Sequence, residues 1–357
     1  MHNVNREYSE TEFSTKVTVL SFLAMLSVMF IHSSAAESDT YTLWENSLLH
    51  FFGTSLTSWA VPFFFCVSGY FFWHRRIVDW KELFRKKFRT LLIPYLAWAL
   101  IGVFLALPLV MFNNHVTGRF LLERTVFESG SIMRGLIECF GIDGHPRGNV
   151  PLWYVRSLIS IFMMAPVLVL VIRRMKWVGF CIACFLMFVI PFKNVPYLIN
   201  QVRGLGYFYM GMMLSECDWI RMKASCKWLL FSGLTLIILL VDDMTTCICT
   251  PLLPLALGGL LWVCYDVLVG KRGWTHTKWA LRQTFWVYCF HMIPTSYLLA
   301  ASRYCLGKGG AVAVLMMFVV PVVALPISLL MARGIKLFAP GVFQVLTGGR
   351  GSLKERP

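Results

Sequence analysis

The sequence has little charge. Only 14% of its 357 residues are Asp, Glu, Lys or Arg, whereas 57% are hydrophobic. Soluble globular domains carry about 25% charged residues, so a water-exposed surface cannot be built from this chain. The apolar residues fall into long runs, as expected where each run crosses about 30 Å of hydrocarbon with about 20 residues. Because lipid offers no partners to backbone groups, the composition predicts an all-α integral membrane protein.

Several motifs of soluble chemistry are absent. There is no P-loop and no strand-flanked Gly-x-Gly-x-x-Gly, so nothing supports ATP-driven or dinucleotide chemistry. The 11 cysteines are scattered without the paired spacing of a zinc site, and we expect no metal. The net charge of +15 comes from basic residues that alternate with apolar runs, which is typical of membrane topology rather than of nucleic-acid binding.

Ten apolar runs are candidate transmembrane helices. They lie near 17–34, 55–73, 90–112, 150–172, 177–192, 196–214, 228–241, 251–269, 283–301 and 311–331. We therefore expect a leader at 1–16, a transmembrane domain at 17–331 with an outer loop at 113–149, and a basic tail at 332–357. The first run resembles a signal-peptide core, but it is long and follows an acidic leader, which favours an uncleaved helix.

The distribution of Lys and Arg predicts the orientation of the chain. The alternate segments 74–90, 173–176, 216–227, 270–282 and 332–357 hold 22 of these residues, whereas the opposite set of segments holds 7. Basic loops face the cytoplasm, so both termini are predicted to be cytoplasmic.

His32 ends the first run, near the predicted outer surface. An imidazole accepts a proton near neutral pH and suits a base that activates a sugar or lipid hydroxyl. The alternative is an interfacial histidine with no chemical role. His291 lies about 12 Å into the ninth run, and Tyr288, three residues earlier, shares its face and is a predicted hydrogen-bond partner. The alternative for His291 is a buried structural histidine.

Arg156 and Arg203 enter their runs from the predicted outer side, Arg156 at a depth of about 9 Å. A guanidinium at that depth is costly and normally faces a partner or an aqueous cavity. Snorkelling to the headgroups is the alternative, favoured for Arg156 by Trp153 and Tyr154, which fit an aromatic belt. With His32, the two arginines are predicted to converge on one leaflet.

A dense basic patch lies between the second and third runs. It attracts anionic headgroups, and it also suits the phosphates of a coenzyme A thioester. The candidate phosphate-binding residues are Arg75, Arg76, Arg85, Lys86, Lys87 and Arg89.

These pieces, in this order, resemble the acyltransferase family 3 of membrane O-acyltransferases over roughly residues 16–300. The matching strings are Ile31-His32-Ser33, Val61 to Tyr70, Lys86 to Tyr95, Leu152 to Arg156 and Tyr288 to His291. The resemblance implies transfer of an acyl group, usually acetyl, from cytoplasmic acyl-CoA to a hydroxyl of a glycan or lipid-linked sugar. It also implies a location in a bacterial-type inner membrane, His32 as the base, and Arg156, His291 and Ser68 as supporting residues.

The sequence departs from the family pattern at two positions. The arginine usually found eleven residues before the histidine is Ser21 here, and the acidic residue that often follows the fourth-run arginine is Ser157. Lys16 lies about 160° round the helix from His32 and does not replace the missing arginine.

Two other functions remain open from the sequence. One is a transporter or exporter of a small anion or glycan, with Arg156 and Arg203 as ligands and His32 as a proton relay. The other is a degenerate member with a scaffolding role, which the serine at position 21 allows. The expected partners are membrane lipids and the acceptor glycan, and the sequence does not define an oligomeric state.

Overall fold

The computed structural model describes the chain except residues 1–7, 35–37, 76–78, 117–131, 143–145, 147, 189–195, 222, 224–225, 247–251, 270–278 and 351–357. The described residues are helical and include no β-strand. The α-helices are α1 Glu10–Ser33, α2 Leu43–His50, α3 Ala60–His74, α4 Trp80–Lys87, α5 Ile93–Val116, α6 Ile132–Cys139, α7 Trp153–Met163, α8 Ala165–Phe188, α9 Pro196–Leu214, α10 Cys226–Thr246, α11 Leu252–Leu268, α12 Thr284–Phe290, α13 Met292–Leu306, α14 Gly310–Phe338 and α15 Pro340–Thr347.

Local sequence explains where α1 begins. Ser9 and Glu12 form a capping box, in which the Glu12 carboxylate accepts from the Ser9 backbone N–H at 3.0 Å and the Ser9 hydroxyl accepts from the Glu12 N–H at 3.3 Å. Neither glycine nor proline interrupts the 24 residues that follow. The helix therefore runs unbroken up to Ser33.

Four helical segments are long and apolar enough to cross a bilayer, namely Glu10–Ser33, Leu43–His74, Trp80–Ala106 and Gly310–Phe338. A fifth consists of Val150–Met163 and Ala165–Phe185, which meet at a bend of 61°. On α14, Val322 and Leu330 are 70% and 69% exposed. Large apolar side chains so exposed suit lipid rather than water. The chain is an all-helical membrane protein, while the count of ten spans and the orientation of the termini stay predictions.

Each predicted run overlaps a helix, but the fourth and fifth differ in their boundaries. The predicted break at 173–176 is present, because the backbone of α8 is non-helical at Met175 and two helical stretches meet there at a kink. A second bend, which the sequence did not predict, lies within the fourth run between Met163 and Ala165.

The chain divides into two compact units. The first comprises Met1–Val28, His50–Val78 and Met164–Arg282, and the second comprises Met29–Leu49, Asp79–Met163 and Gln283–Pro357. In the first unit, α3 packs along α9, which also packs on α8. A small core of Tyr8, Phe13, Val17 and Tyr70 lies near its N-terminal segment.

The second unit is built round α5, α12, α13, α14 and α15. Its centre is aromatic: the Trp98 and Trp286 rings lie 5.2 Å apart and the Trp286 and Phe343 rings 5.3 Å apart. Both indole N–H groups donate to backbone carbonyls, Trp98 to Leu346 and Trp286 to Ser328, each at 2.9 Å. Buried aromatic residues with satisfied N–H groups hold α12 and α15 in place.

Candidate active site

His32 lies in the last turn of α1, within the part of this helix that belongs to the second unit. The turn is closed by Ser33, whose hydroxyl donates to the Met29 carbonyl at 2.6 Å. The fold thus places the predicted base at the end of a regular helix.

His291 lies at the junction of α12 and α13 and is fully buried. Its Nδ1 is 3.1 Å from the Val287 carbonyl oxygen and 2.8 Å from that of Tyr288. Carbonyl oxygens only accept hydrogen bonds, so these contacts assign the proton to Nδ1 and leave a lone pair on Nε2. Nε2 is buried and has no hydrogen-bond partner among the described residues.

The two histidines are neighbours. Their ring centroids lie 5.4 Å apart, with an angle of 44° between the ring planes. From the sequence, we assigned His32 to the chemistry and His291 to a supporting position. The structure brings both imidazoles together within the second unit, which makes this pair the centre of the candidate site.

Tyr288 holds this segment through its hydroxyl, which donates to the carbonyl of Pro151. Tyr288 is a hydrogen-bond partner of His291, as predicted, but through its backbone carbonyl, while its phenol reaches across to the turn before α7. The Tyr288 ring also lies 5.8 Å from that of Tyr154. Tyr288 is thus a positioning residue that ties α12 to the start of α7.

Arg156 is in α7, two residues after Tyr154, and all three of its guanidinium nitrogens are buried. A side chain that reached the membrane surface would expose these atoms. The snorkelling alternative is therefore wrong for Arg156, and its cation faces the interior of the protein. Trp153, at the first residue of α7, is half-buried, and its carbonyl accepts from the Ser157 hydroxyl at 2.9 Å.

Two further polar side chains of the site were missed by the sequence analysis. Asn149 is 1% exposed, and its Nδ2 donates to the Cys289 carbonyl at 2.8 Å. Thr295 is fully buried one turn after His291. Within the described part of the chain, neither the Asn149 Oδ1 nor the Thr295 Oγ1 has a hydrogen-bond partner.

Thr295 lies four residues after His291, and Asn149 donates to the carbonyl of Cys289, two residues before His291. Burial of a polar atom without a partner is costly, and native proteins do it rarely outside functional sites. The His291 Nε2, the Asn149 Oδ1 and the Thr295 Oγ1 are thus three buried atoms that can each accept a hydrogen bond.

A close backbone contact fixes Asn149. A Cβ atom at Gly102 of α5 would lie 2.6 Å from the Gly148 carbonyl oxygen, so only glycine allows this approach. The segment leading into α7 is thereby packed against α5, and Asn149 follows the point of contact.

The other predicted site residues are divided between the two units. Ser68 in α3 and Arg203 in α9 both belong to the first unit, so the predicted convergence of Arg203 with His32 and Arg156 stays a prediction. Of the basic patch, Arg75 also belongs to the first unit, and Arg76 lies outside the described residues.

The rest of the basic patch lies in the second unit, at the end of α4 and in the π-helical turn Phe88–Leu92. Arg85, Lys86 and Arg89 are exposed, whereas the Lys87 ammonium lies 3.6 Å from the centroid of the Phe162 ring. The patch is therefore mostly a solvated surface.

Comparison with known proteins assigns the chain to a family. Residues 16–333 match the model of a family described as "Acyltransferase domain". The chain is also 22% identical, over 97% of its length and 95% of the relative's, to the succinoglycan biosynthesis protein ExoH of Rhizobium meliloti (strain 1021). No solved structure matches the chain.

The family match covers most of the chain and includes His32, Asn149, Arg156 and His291. It confirms the resemblance that the sequence motifs indicated. It also shows that the protein is an enzyme that transfers acyl groups other than aminoacyl groups. The chain belongs to acyltransferase family 3, the membrane acyltransferases.

Proposed function

We propose that this protein transfers an acyl group, acetyl in the simplest case, from acyl-CoA to a hydroxyl of a cell-surface glycan or lipid-linked sugar in the cytoplasmic membrane. The observation that carries the proposal is the histidine pair, His32 beside His291, with the lone pair of His291 Nε2 unused among the described residues. The glycan acceptor is supported by the relative, whose name refers to succinoglycan biosynthesis.

The geometry suits base catalysis at an acceptor hydroxyl. Two imidazolium ions 5.4 Å apart in a buried site repel each other strongly, so at least one ring stays neutral and keeps a lone pair. His32 takes the hydroxyl proton while the oxygen attacks the thioester carbonyl. The carbon–sulfur bond then breaks, and the proton passes from the imidazole to the departing thiolate.

Buried polar groups of the same unit suit the same reaction. Asn149 and Thr295 orient the acceptor through hydrogen bonds to its hydroxyl groups. The buried Arg156 guanidinium stabilises negative charge on the carbonyl oxygen during attack, a contribution that commonly exceeds that of proton transfer.

Membership of an acyltransferase family favours this function over transport of a small anion or glycan. A transporter moves its substrate without consuming a thioester, whereas the proposed reaction releases one coenzyme thiol for each acyl group transferred. Thioester consumption therefore separates the two functions directly.

The test is acyl transfer by the full chain in lipid nanodiscs, with radiolabelled acetyl-CoA and a glycan extract. Loss of a general base typically lowers the rate about 10²- to 10⁴-fold, and we expect a decrease of this size for His32→Ala. His291→Gln, which removes the Nε2 lone pair, should also lower the rate. The matched control is His74→Ala, because His74 is exposed at the end of α3.

Full transfer by His32→Ala, with label on the glycan, would contradict the role of His32 as the base. Transport of the acceptor with no thioester consumed by the wild-type protein would contradict the proposed function itself.

A further inference from the structure

The C-terminal tail carries a cation into the second unit. Phe343 and Leu346 of α15 are buried, and the carbonyl of Leu346 accepts from the Trp98 indole at 2.9 Å. After α15, Gly348 adopts a φ of +60°, a left-handed conformation that favours glycine, and reverses the chain. These contacts fix the path of the chain to Arg350, the last described residue.

Arg350 is only partly exposed, and its Nη1 is buried without a hydrogen-bond partner among the described residues. Its guanidinium carbon lies 4.1 Å from the centroid of the Phe285 ring. Burial lowers the pKa of Arg350, and the groups that act against this effect are Cys289 and Tyr154, neither of which carries a full negative charge at neutral pH. In the described part of the chain, no carboxylate forms an ion pair with this arginine.

A largely buried cation that has no counter-ion among the described residues, and only an aromatic ring beside it, suits an anionic ligand that would offset its desolvation cost. The basic patch nearby does not have this property, because Arg85, Lys86 and Arg89 are exposed and well solvated. The two features are adjacent in the fold: a Cβ at Gly348 would lie 2.4 Å from the Thr90 carbonyl oxygen, next to Arg89. The exposed patch can gather anions that the buried guanidinium then binds more tightly.

We propose that Arg350 binds a phosphate group of the acyl-CoA donor, an inference that rests on the proposed function. A guanidinium forms paired hydrogen bonds with phosphate oxygens, so it suits this ligand better than an ammonium group. The unused Nη1 supplies one of the donors. Arg350 is then the cation that the serine at position 21 does not provide, brought to the second unit by the C-terminal tail.

The position of Arg350 beside α12 agrees with a role in binding the donor phosphates. The guanidinium packs on Phe285, six residues before His291, which corresponds to an offset of about 9 Å along the helix axis. Phe285 is on the side of His291 that the Lys and Arg distribution assigns to the cytoplasm, where acyl-CoA is found. The phosphates of this donor are joined to its thioester by a flexible arm, so the bound charge must lie away from the base.

The test compares two donors on the full chain in nanodiscs. Acetyl-CoA carries the phosphates, whereas the acetyl thioester of N-acetylcysteamine presents the same reacting bond without them. A hydrogen bond to a charged group is usually worth about a 10- to 100-fold change in affinity, so we expect Arg350→Gln to raise the KM for acetyl-CoA by this factor relative to the KM for the short thioester. Arg333→Gln removes an exposed charge near the tail and serves as the matched control.

An equal change in both KM values, or no change in either, would overturn the assignment. If Arg350→Gln does not fold, Arg350→Lys replaces it, since an ammonium keeps the charge but loses the paired geometry; a smaller rise in the same ratio supports the proposal, and an unchanged ratio overturns it.

Direct binding keeps this test independent of catalysis. Should the wild type transfer from neither donor, the proposed function fails, and equilibrium dialysis with radiolabelled coenzyme A still decides the role of Arg350. Weaker binding by Arg350→Gln than by Arg333→Gln supports the phosphate site. Unchanged coenzyme binding, together with lost stabilisation by phosphatidylglycerol, would show that a lipid headgroup occupies it and would overturn the proposal.

Discussion

The buried ion pair of the first unit offers a sharp test of how this membrane protein tolerates charge in its interior. The Lys16 ammonium lies 2.5 Å from the Asp266 carboxylate, and both side chains are fully buried. The Tyr8 hydroxyl donates to the same carboxylate oxygen at 2.6 Å, and the ammonium lies 3.7 Å from the centroid of the Trp262 ring. The Lys16 charge is thus stabilised by the Asp266 carboxylate and by the aromatic ring of Trp262.

Asp266→Asn keeps the shape of this site but leaves the Lys16 charge without a counter-ion. Removing one member of a buried pair costs about 3–5 kcal/mol, because the other charge stays desolvated. At a few degrees per kcal/mol, the midpoint of thermal denaturation should fall by on the order of 5 °C or more. Lys16→Met should be similarly destabilising, since it leaves the buried carboxylate without its counter-ion.

The double variant Lys16→Met with Asp266→Asn distinguishes pairing from packing. It removes both charges, so we expect it to be more stable than either single variant, with a coupling free energy of roughly 3 kcal/mol or more. The assay follows the monodisperse fraction by size-exclusion chromatography after heating in detergent. The control is Glu10→Gln, because Glu10 is 74% exposed where it pairs with Arg221, and exposed pairs contribute little. Losses that simply add in the double variant would refute the reasoning.

Two more predictions concern the first unit. In α3, a Cβ at Gly69 would lie 1.9 Å from the Phe208 carbonyl oxygen, so Gly69→Ala should separate α3 from α9 and lower the thermal midpoint, whereas Gly233→Ala, with open space around it, should not. Burial disfavours ionisation of Glu216, but its hydrogen bond from Lys176 is among those that outweigh this effect and hold the pKa of Glu216 below its ordinary value. This stabilisation is present above the unfolded pKa near 4.3 and is lost as the pH falls through the lower folded value, so thermal midpoints measured from pH 6 to pH 3 should fall less for Glu216→Gln than for the wild type.

The sequence predicted regular elements well where the signal was local. The runs at 196–214 and 251–269 correspond closely to α9 Pro196–Leu214 and α11 Leu252–Leu268. Apolar length alone could not locate the bend near Met164, because the residues on both sides of it are equally hydrophobic. The break between runs four and five was predicted at the kink near Met175, whereas the bend within run four was missed.

The candidate site was harder to predict, since its contacts join distant parts of the chain. His32 and His291 were each recognised from their motifs, but their contact depends on helices more than 250 residues apart. Asn149 carries no local signal, and its role rests on a bond to a backbone carbonyl in α12. A motif search finds residues that resemble a pattern, and it misses residues whose importance lies only in what they touch.

The two units also show how a buried cation can be interpreted. Lys16 was excluded as a substitute for the missing arginine by its helical angle, and the structure gives it a full set of partners in Asp266 and Trp262. Arg350 was counted only as part of a basic tail, yet its Nη1 is buried without a partner among the described residues. A charge whose partners are complete stabilises the fold, so removing a partner should affect stability first. A charge with an unused donor is available to a ligand, so its removal should affect binding first, and measuring both quantities for Asp266→Asn and Arg350→Gln tests that distinction within one protein.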